Sequence, residues 1–323
     1  MRGLIASGIA QGDSDSEGSL VRGDFPKSHI FTCSQYRSTV PGSGNDNDSG
    51  CPAGSATGTG VCLHPESIYE CEVNVSLLED DQQVLGAIPN LTPHCEIALL
   101  ARALHRTGWD DGHLGHITYL QPDHTLLTLP MELGWNEVTA SDIVRMDLDG
   151  NKIEGRGSIT PAIRLHTEFH KARPGVGVTV HQHPRFATIW SACGRIPPVY
   201  DQRSAFVADD DIVLWDENVG SVDNVHAAQA AVAAMGAASF ALLRNHGVMV
   251  VADSIEQAYN RATALEWRCQ QAWRVEAIGG KNAMPKLAQE SIVSQVRPHG
   301  GVIGGLWEWA VRGELRNDPT IIV

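Results

Sequence analysis

The nine residues 176–184, VGVTVHQHP, restrict the fold more than any other part of the chain. Through position 180 the run is apolar, glycine or β-branched, the composition of a buried strand. Side chains at i and i+2 of a strand share a face, so the imidazoles of His181 and His183 project side by side. Pro184 cannot donate to a ladder and ends the pairing, which leaves both rings at a strand end, a common place for a site. Two imidazoles so placed make a two-point chelate for zinc or another first-row divalent ion. Two surface histidines at a loop edge would give the same local pattern, so a third ligand is needed to decide.

That candidate lies in residues 239–252, SFALLRNHGVMVVA. The runs FALL and VMVV flank Arg244-Asn245-His246-Gly247, which predicts strand, tight turn and strand, with Gly247 supplying a positive φ. His246 thus sits at the turn of an otherwise apolar hairpin. Three neutral histidines that leave coordination positions open are the pattern of a catalytic rather than a structural metal site.

HQHP followed by RNHG resembles the metal-binding histidines of the class II aldolase/adducin family. Gly115-His116-Ile117-Thr118 is similar to the family's Gly-Asn-Ile-Ser or Gly-His-Ile-Ser turn. Residues 139–155, TASDIVRMDLDGNKIEG, resemble its Thr-x-Ser-Asp segment. Residues 165–174, LHTEFHKARP, resemble the helix before His-x-His, and residues 254–269 the helix after the third histidine. The resemblance spans about residues 92–280. It implies an α/β fold, a three-layer α/β/α domain over residues 85–315 whose central sheet is mainly antiparallel. It further implies one divalent ion on His181, His183 and His246, zinc first with manganese or iron as alternatives. A small-molecule substrate and a homo-oligomer, a tetramer as family members generally are, are implied on the same ground.

One departure from the family pattern is informative. The family's aldolases carry a proton-transferring glutamate nineteen residues before the first histidine, and that position is Ala162. A methyl group moves no proton, so an ordinary phosphosugar aldolase is disfavoured. His116 and His166 become the candidate catalytic groups, although each is also what a hydrogen-bonded core histidine would look like. Arg185, Gly115 and Thr118 are the candidate substrate contacts, Arg185 because a guanidinium meets a carboxylate bidentately, although a surface ion pair would suit it equally. His170, one turn from His166, is read either as a support behind the site or as a surface residue, and Glu168 as lying on a solvated face.

Relatives with the Gly-His-Ile-Ser type of turn include decarboxylases of hydroxylated aromatic acids, iron oxygenases and the non-catalytic adducin heads. The resemblance therefore implies a metal-dependent carbon–carbon lyase, with decarboxylation ahead of retro-aldol cleavage. In either reaction a Lewis acid takes up the electron pair of the broken bond and a histidine protonates carbon. A non-haem iron oxygenase and a non-catalytic oligomerisation module are the alternatives.

The net charge of −14 argues against a nucleic-acid surface or an anionic membrane as partner. No apolar run is long enough for a transmembrane helix, and the first residues make a poor secretory signal. Seven cysteines without a CxxC fit a reduced, cytoplasmic setting. Residues 1–80 are rich in Gly, Ser and Asp and lack periodicity, which predicts a largely disordered segment with one short strand near residues 69–77. Beyond them the patterns predict helices over residues 92–107, 160–171, 186–193, 224–235 and 255–278, and strands over 114–119, 125–129, 144–148 and 176–180. Trp307 and Trp309 make a C-terminal apolar patch that suits either an interface or the core.

Overall fold

The computed structural model describes residues 60–64, 67–71, 88–216, 222–296 and 304–323. Gly60–His64 (β1) and Ser67–Cys71 (β2) pair antiparallel. Residues 69–71 of the expected strand fall in β2, which has a partner that the composition of the segment did not announce; residues 72–77 lie outside the described residues. The rest of residues 1–80 lies outside the described residues.

Eight further strands form one sheet. In chain order they are β3 (His116–Leu120), β4 (Leu126–Thr128), β5 (Val144–Met146), β6 (Lys152–Glu154), β7 (Val178–Gln182), β8 (Ile212–Trp215), β9 (Phe240–Leu243) and β10 (Gly247–Ala252). Their spatial order is β6-β5-β4-β3-β7-β10-β9-β8. Every pairing is antiparallel except β8 with β9. The histidine-bearing strand β7 is thus central, with β3 on one side and β10 on the other. The registers place His116 opposite His181 and Thr118 opposite Thr179. Both strands alternate with period two, so these four side chains share one face of the sheet.

Helices cover both faces. One core joins α1 (Pro93–Arg106), α3 (Arg185–Cys193), α5 (Ile255–Ala277) and α7 (Leu306–Asn317) to Ile117, Val178, Val180, Val248 and Val250 of the sheet. The opposite core joins α2 (Arg164–Ala172) and α4 (Val225–Met235) to Ala241, Leu243, Met249 and Val251. This is the expected three-layer α/β/α arrangement. Helix α1 starts where its residues say: the Thr92 side chain accepts from the Cys95 N–H, and Pro93 occupies the first turn. Its apolar stripe of Ile97, Leu100, Ala101 and Leu104 is wholly buried. Strands β6 and β8, α6 (Lys286–Val296) and α7 carried no recognised signal. Of the C-terminal tryptophans, Trp307 is core and stacks near Tyr259, whereas Trp309 is exposed. Among the described residues no helix is long and apolar enough to cross a membrane.

The join between β7 and α3 sets the site's exit. Pro184 stands at the cap position of α3 and has no side chain that accepts a hydrogen bond. Glu266 of α5 takes that role, its two carboxylate oxygens accepting from the backbone N–H of Phe186 and Ala187 at 2.8 and 2.9 Å. Burial pushes this carboxyl up to about 7, against the downward pull of those N–H groups and of Arg185. A folded-state pKa above the ordinary 4.5 means that the folded chain holds the proton more tightly than the unfolded one. The resulting stability is fully present below about pH 4.5 and is lost as pH rises through about 7. Urea midpoints between about pH 5 and 7 should thus include a downward slope from this group, at most about 1.4 kcal/mol per pH unit. Glu266→Gln should flatten that slope; an unchanged slope would remove Glu266 as its source.

Candidate metal centre

His181 is the penultimate residue of β7, His183 follows its end, and His246 belongs to the β9–β10 turn. The three rings converge: their ligand nitrogens all lie within 4.8 Å of one another. Two features hold the chain ends this close. The turn needs a left-handed residue, and Asn245 supplies it at φ +57°. Gly247, expected to provide that conformation, has another task. A Cβ on it would stand 2.5 Å from His183 Cδ2 and 2.6 Å from the Gln182 carbonyl oxygen. On the other flank of β7, a Cβ on Gly115 would stand 2.6 Å from Gln182 Cδ and 2.8 Å from the His181 carbonyl oxygen. Both neighbouring strands thus meet the end of β7 with a residue that has no side chain.

Hydrogen bonds fix the ring faces. His181 Nδ1 lies 2.9 Å from the Val248 carbonyl oxygen, which only accepts, so Nδ1 carries the proton and Nε2 is bare. His183 Nδ1 lies 2.6 Å from Asp111 Oδ2, with the same consequence. Among the described residues, His183 Nε2 is buried with no hydrogen-bond partner. Burial, reinforced by the neighbouring imidazoles, holds His181 well below the usual histidine range; burial and His183 lower His246. Imidazoles whose outer nitrogens are held by such partners are the donor set that a divalent metal takes. The residues fit the ion.

A cavity of about 250 Å³ opens on these rings. His116, Gly115 and His113 line one part of it, and Leu114, Leu129, Pro130 and Met131 form an apolar part. Ala162 and Thr160 also reach it. The described lining residues include no carboxylate and no lysine or arginine. His116 stacks on His181 at 5.0 Å between centroids, and its Nδ1 is 3.1 Å from His166 Nε2. Burial, before any effect of neighbouring histidines, holds both His116 and His166 well below the ordinary value.

Two expected substrate contacts lie elsewhere. Thr118 is fully buried behind His166, where its hydroxyl meets Thr179 and His170. Arg185 does not line the cavity; its side chain is 70% exposed and lies 3.6 Å from Asp110. The first residue of α3 points along the outside of the helix, a direction that sequence spacing did not give. Glu168 is not on a solvated face. It is buried, accepting from Lys171 Nζ and from Gln229 Nε2, because α4 packs over that side of α2. His170 is buried as well. Sequence reasoning missed Asp111, His113 and Thr179. The last had a signal, since Thr179-x-His181-x-His183 is a single period-two face.

Two substitutions test this geometry by metal competition against a chelator. Asp111→Asn should weaken binding roughly 10–100-fold, the usual effect of losing an outer partner of a ligating histidine. Gly247→Ala, which drives a methyl group into His183 and the Gln182 carbonyl, should weaken it at least as much while leaving the far-UV spectrum intact. Unchanged affinity in both would mean that these contacts do not set the site.

Comparison with known proteins bears on the family and the fold. The family model described as Class II Aldolase and Adducin N-terminal domain matches residues 95–273. The 3,4-dihydroxyphthalate decarboxylase of Arthrobacter keyseri is 33% identical over 196 residues, covering 57% of this chain and 79% of that protein. The 5-methylthioribulose-1-phosphate/5-deoxyribulose-1-phosphate aldolase of Rhodospirillum rubrum is 27% identical over 202 residues, covering 62% and 89%. Among solved structures, an aldolase II superfamily protein from Pseudomonas syringae superposes with a TM-score of 0.64 at 23% identity, covering 72% of this chain and 98% of that one. With the sheet order, the histidine cluster and the matched span in agreement, the chain belongs to the class II aldolase/adducin family.

Proposed function

We propose that the protein is a metal-dependent carbon–carbon lyase that decarboxylates a small hydroxylated aromatic acid. The observation that carries this reading is a described cavity lining that holds an imidazole, His116, and no carboxylate. Ala162 contributes only a methyl group to the cavity, while His116 stands in its wall, hydrogen-bonded to His166. A second support is the wall itself. Leu114, Leu129, Pro130 and Met131 offer a flat ring an apolar surface, and no lysine or arginine in the described lining offers a phosphate a partner. The similarity to a dihydroxyphthalate decarboxylase points the same way.

His181, His183 and His246 would hold the ion, with zinc as the first choice. When bound, it would supply Lewis acidity toward negative charge developing on a substrate oxygen. The remaining work belongs to the chain. The apolar wall orients the ring and excludes water from it. The backbone at Gly115 lines the cavity beside His116 and packs against the end of β7. His116 exchanges a proton with the substrate, and His166 holds the His116 ring from behind. Retro-aldol cleavage would make the same demands on these residues, and the similarity to a ribulose-phosphate aldolase keeps it as the second reading. Family likeness also favours a homo-oligomer.

The test is metal analysis together with CO₂ release and O₂ uptake on a panel of hydroxylated aromatic acids. Roughly one divalent ion per chain is expected, lost in His181→Ala, with CO₂ formed and no O₂ consumed. His116→Ala should keep the metal and lose roughly 10²–10⁴-fold in kcat. O₂ uptake dependent on ferrous iron would replace the lyase reading with an oxygenase. Release of an aldehyde from a hydroxy-carbonyl substrate would replace decarboxylation with aldol cleavage.

A further inference from the structure

Behind His116 runs a chain of hydrogen bonds that the metal site does not use. His116 Nδ1 meets His166 Nε2 at 3.1 Å, and His166 Nδ1 meets Thr179 Oγ1 at 2.6 Å. Thr179 Oγ1 meets Thr118 Oγ1 at 2.5 Å, and Thr118 Oγ1 meets His170 Nε2 at 2.8 Å. His170 Nδ1 ends the chain at the Val176 carbonyl oxygen, 3.1 Å away. Thr118, Thr179 and His166 are fully buried, and His170 nearly so. No water is needed to connect any two of them.

The far end dictates the polarity of the whole chain. A carbonyl oxygen only accepts, so His170 Nδ1 carries a proton. Burial lowers His170 to about 4, so the ring is neutral near pH 7 and its Nε2 accepts. Thr118 must then donate to His170. Its hydroxyl hydrogen is spent, so the contact with Thr179 needs the Thr179 hydrogen. Thr179 in turn accepts from His166 Nδ1–H. Neutral His166 has a bare Nε2, which accepts from His116 Nδ1–H. The reverse sense at any joint would set two lone pairs against each other at 2.5–2.8 Å. The chain ends on a backbone carbonyl, so it orients and does not conduct.

We infer that Thr118, Thr179, His166 and His170 are positioning residues that lock His116 in the tautomer with Nε2 bare, so that His116 begins the reaction as a base. This rests on the lyase reading for its chemical consequence. A base needs a proton to take, so the substrate must present a hydroxyl at His116, as a hydroxylated aromatic acid does. The hydroxyl proton passes to His116 Nε2. The carbon–carboxylate bond breaks, its electron pair stays on the ring carbon, and CO₂ leaves. The same proton returns from His116 Nε2 to that carbon. The remaining oxyanion takes one proton from water on release, so the net reaction consumes one proton and needs no oxidant or reductant. A carboxylic acid without a neighbouring hydroxyl would bring no proton and would not react.

Neutron diffraction from D₂O-exchanged crystals of the metal-loaded protein reads the lock directly. Deuterium is expected on Nδ1 of His170, His166 and His116, and none on His116 Nε2. Deuterium on His116 Nε2 in the wild-type protein would overturn the inference, whatever the activity. Thr118→Val, isosteric but unable to donate, should release the tautomers of His166 and His116. It should lower kcat roughly 10–100-fold with KM within about twofold, and Thr118→Ser should restore kcat to within about threefold. An unchanged His116 tautomer in Thr118→Val would also overturn it. The deuterium positions do not depend on which substrate is turned over, so a failed CO₂ assay with the lock present would count against the lyase reading alone.

Discussion

The site depends on one pairing, β7 against β3 in the register His116↔His181 and Thr118↔Thr179. Strand side chains repeat with period two, so that register gathers two imidazoles and two hydroxyls on one face while Ile117, Val178 and Val180 fill the core on the other. A slip of one residue would send every polar group into the apolar layer and every valine toward the cavity. The hydrophobic core beneath the sheet therefore enforces the geometry of the polar face above it. Helix α2 then completes that face by lowering His166 and His170, one helical turn apart, onto the two threonines.

This explains which parts could be read from the chain. His181, His183 and His246 were legible because each sits in a local pattern, a strand end or a turn, that fixes its direction without reference to the rest. Ala162 was legible as the loss of a carboxylate. The roles of Thr118 and Thr179 were not, since a threonine in a strand is unremarkable until its cross-strand neighbour is known. Gly247 was read as the positive-φ residue of the turn, and its role is a different one. The turn found its left-handed residue in Asn245, and the glycine was needed for a close approach that only the pairing of β10 with β7 creates. The reading of Glu168 failed for a related reason. Helical spacing says which residues share a face, and it takes the packed neighbours, α4 for Glu168, to say which face is dry.

A carboxylate and an imidazole are not equivalent proton carriers in a cavity of this kind. A glutamate beside three neutral histidines would be held ionised by a bound dication and would bring a negative charge toward an anionic substrate. An imidazole paired with a second imidazole brings none, and burial keeps both His116 and His166 uncharged. On the proposed reading, an alanine at position 162 changes the charge that the cavity can accept as well as the group that would move the proton.

The ligand set extends that argument. Three neutral imidazoles leave a divalent ion with its full charge, and among their described outer partners only Asp111 is an acid, while the partner of His181 is an uncharged carbonyl. Charge balance is then left to the substrate, which favours one that offers two oxygens and at least one negative charge at the ion. Beyond those oxygens the wall is Leu, Pro and Met, which cannot stabilise a further charge, so the rest of such a molecule must be apolar or reach out of the cavity. The proposed substrate, a ring bearing a carboxylate and an adjacent hydroxyl, would meet both conditions.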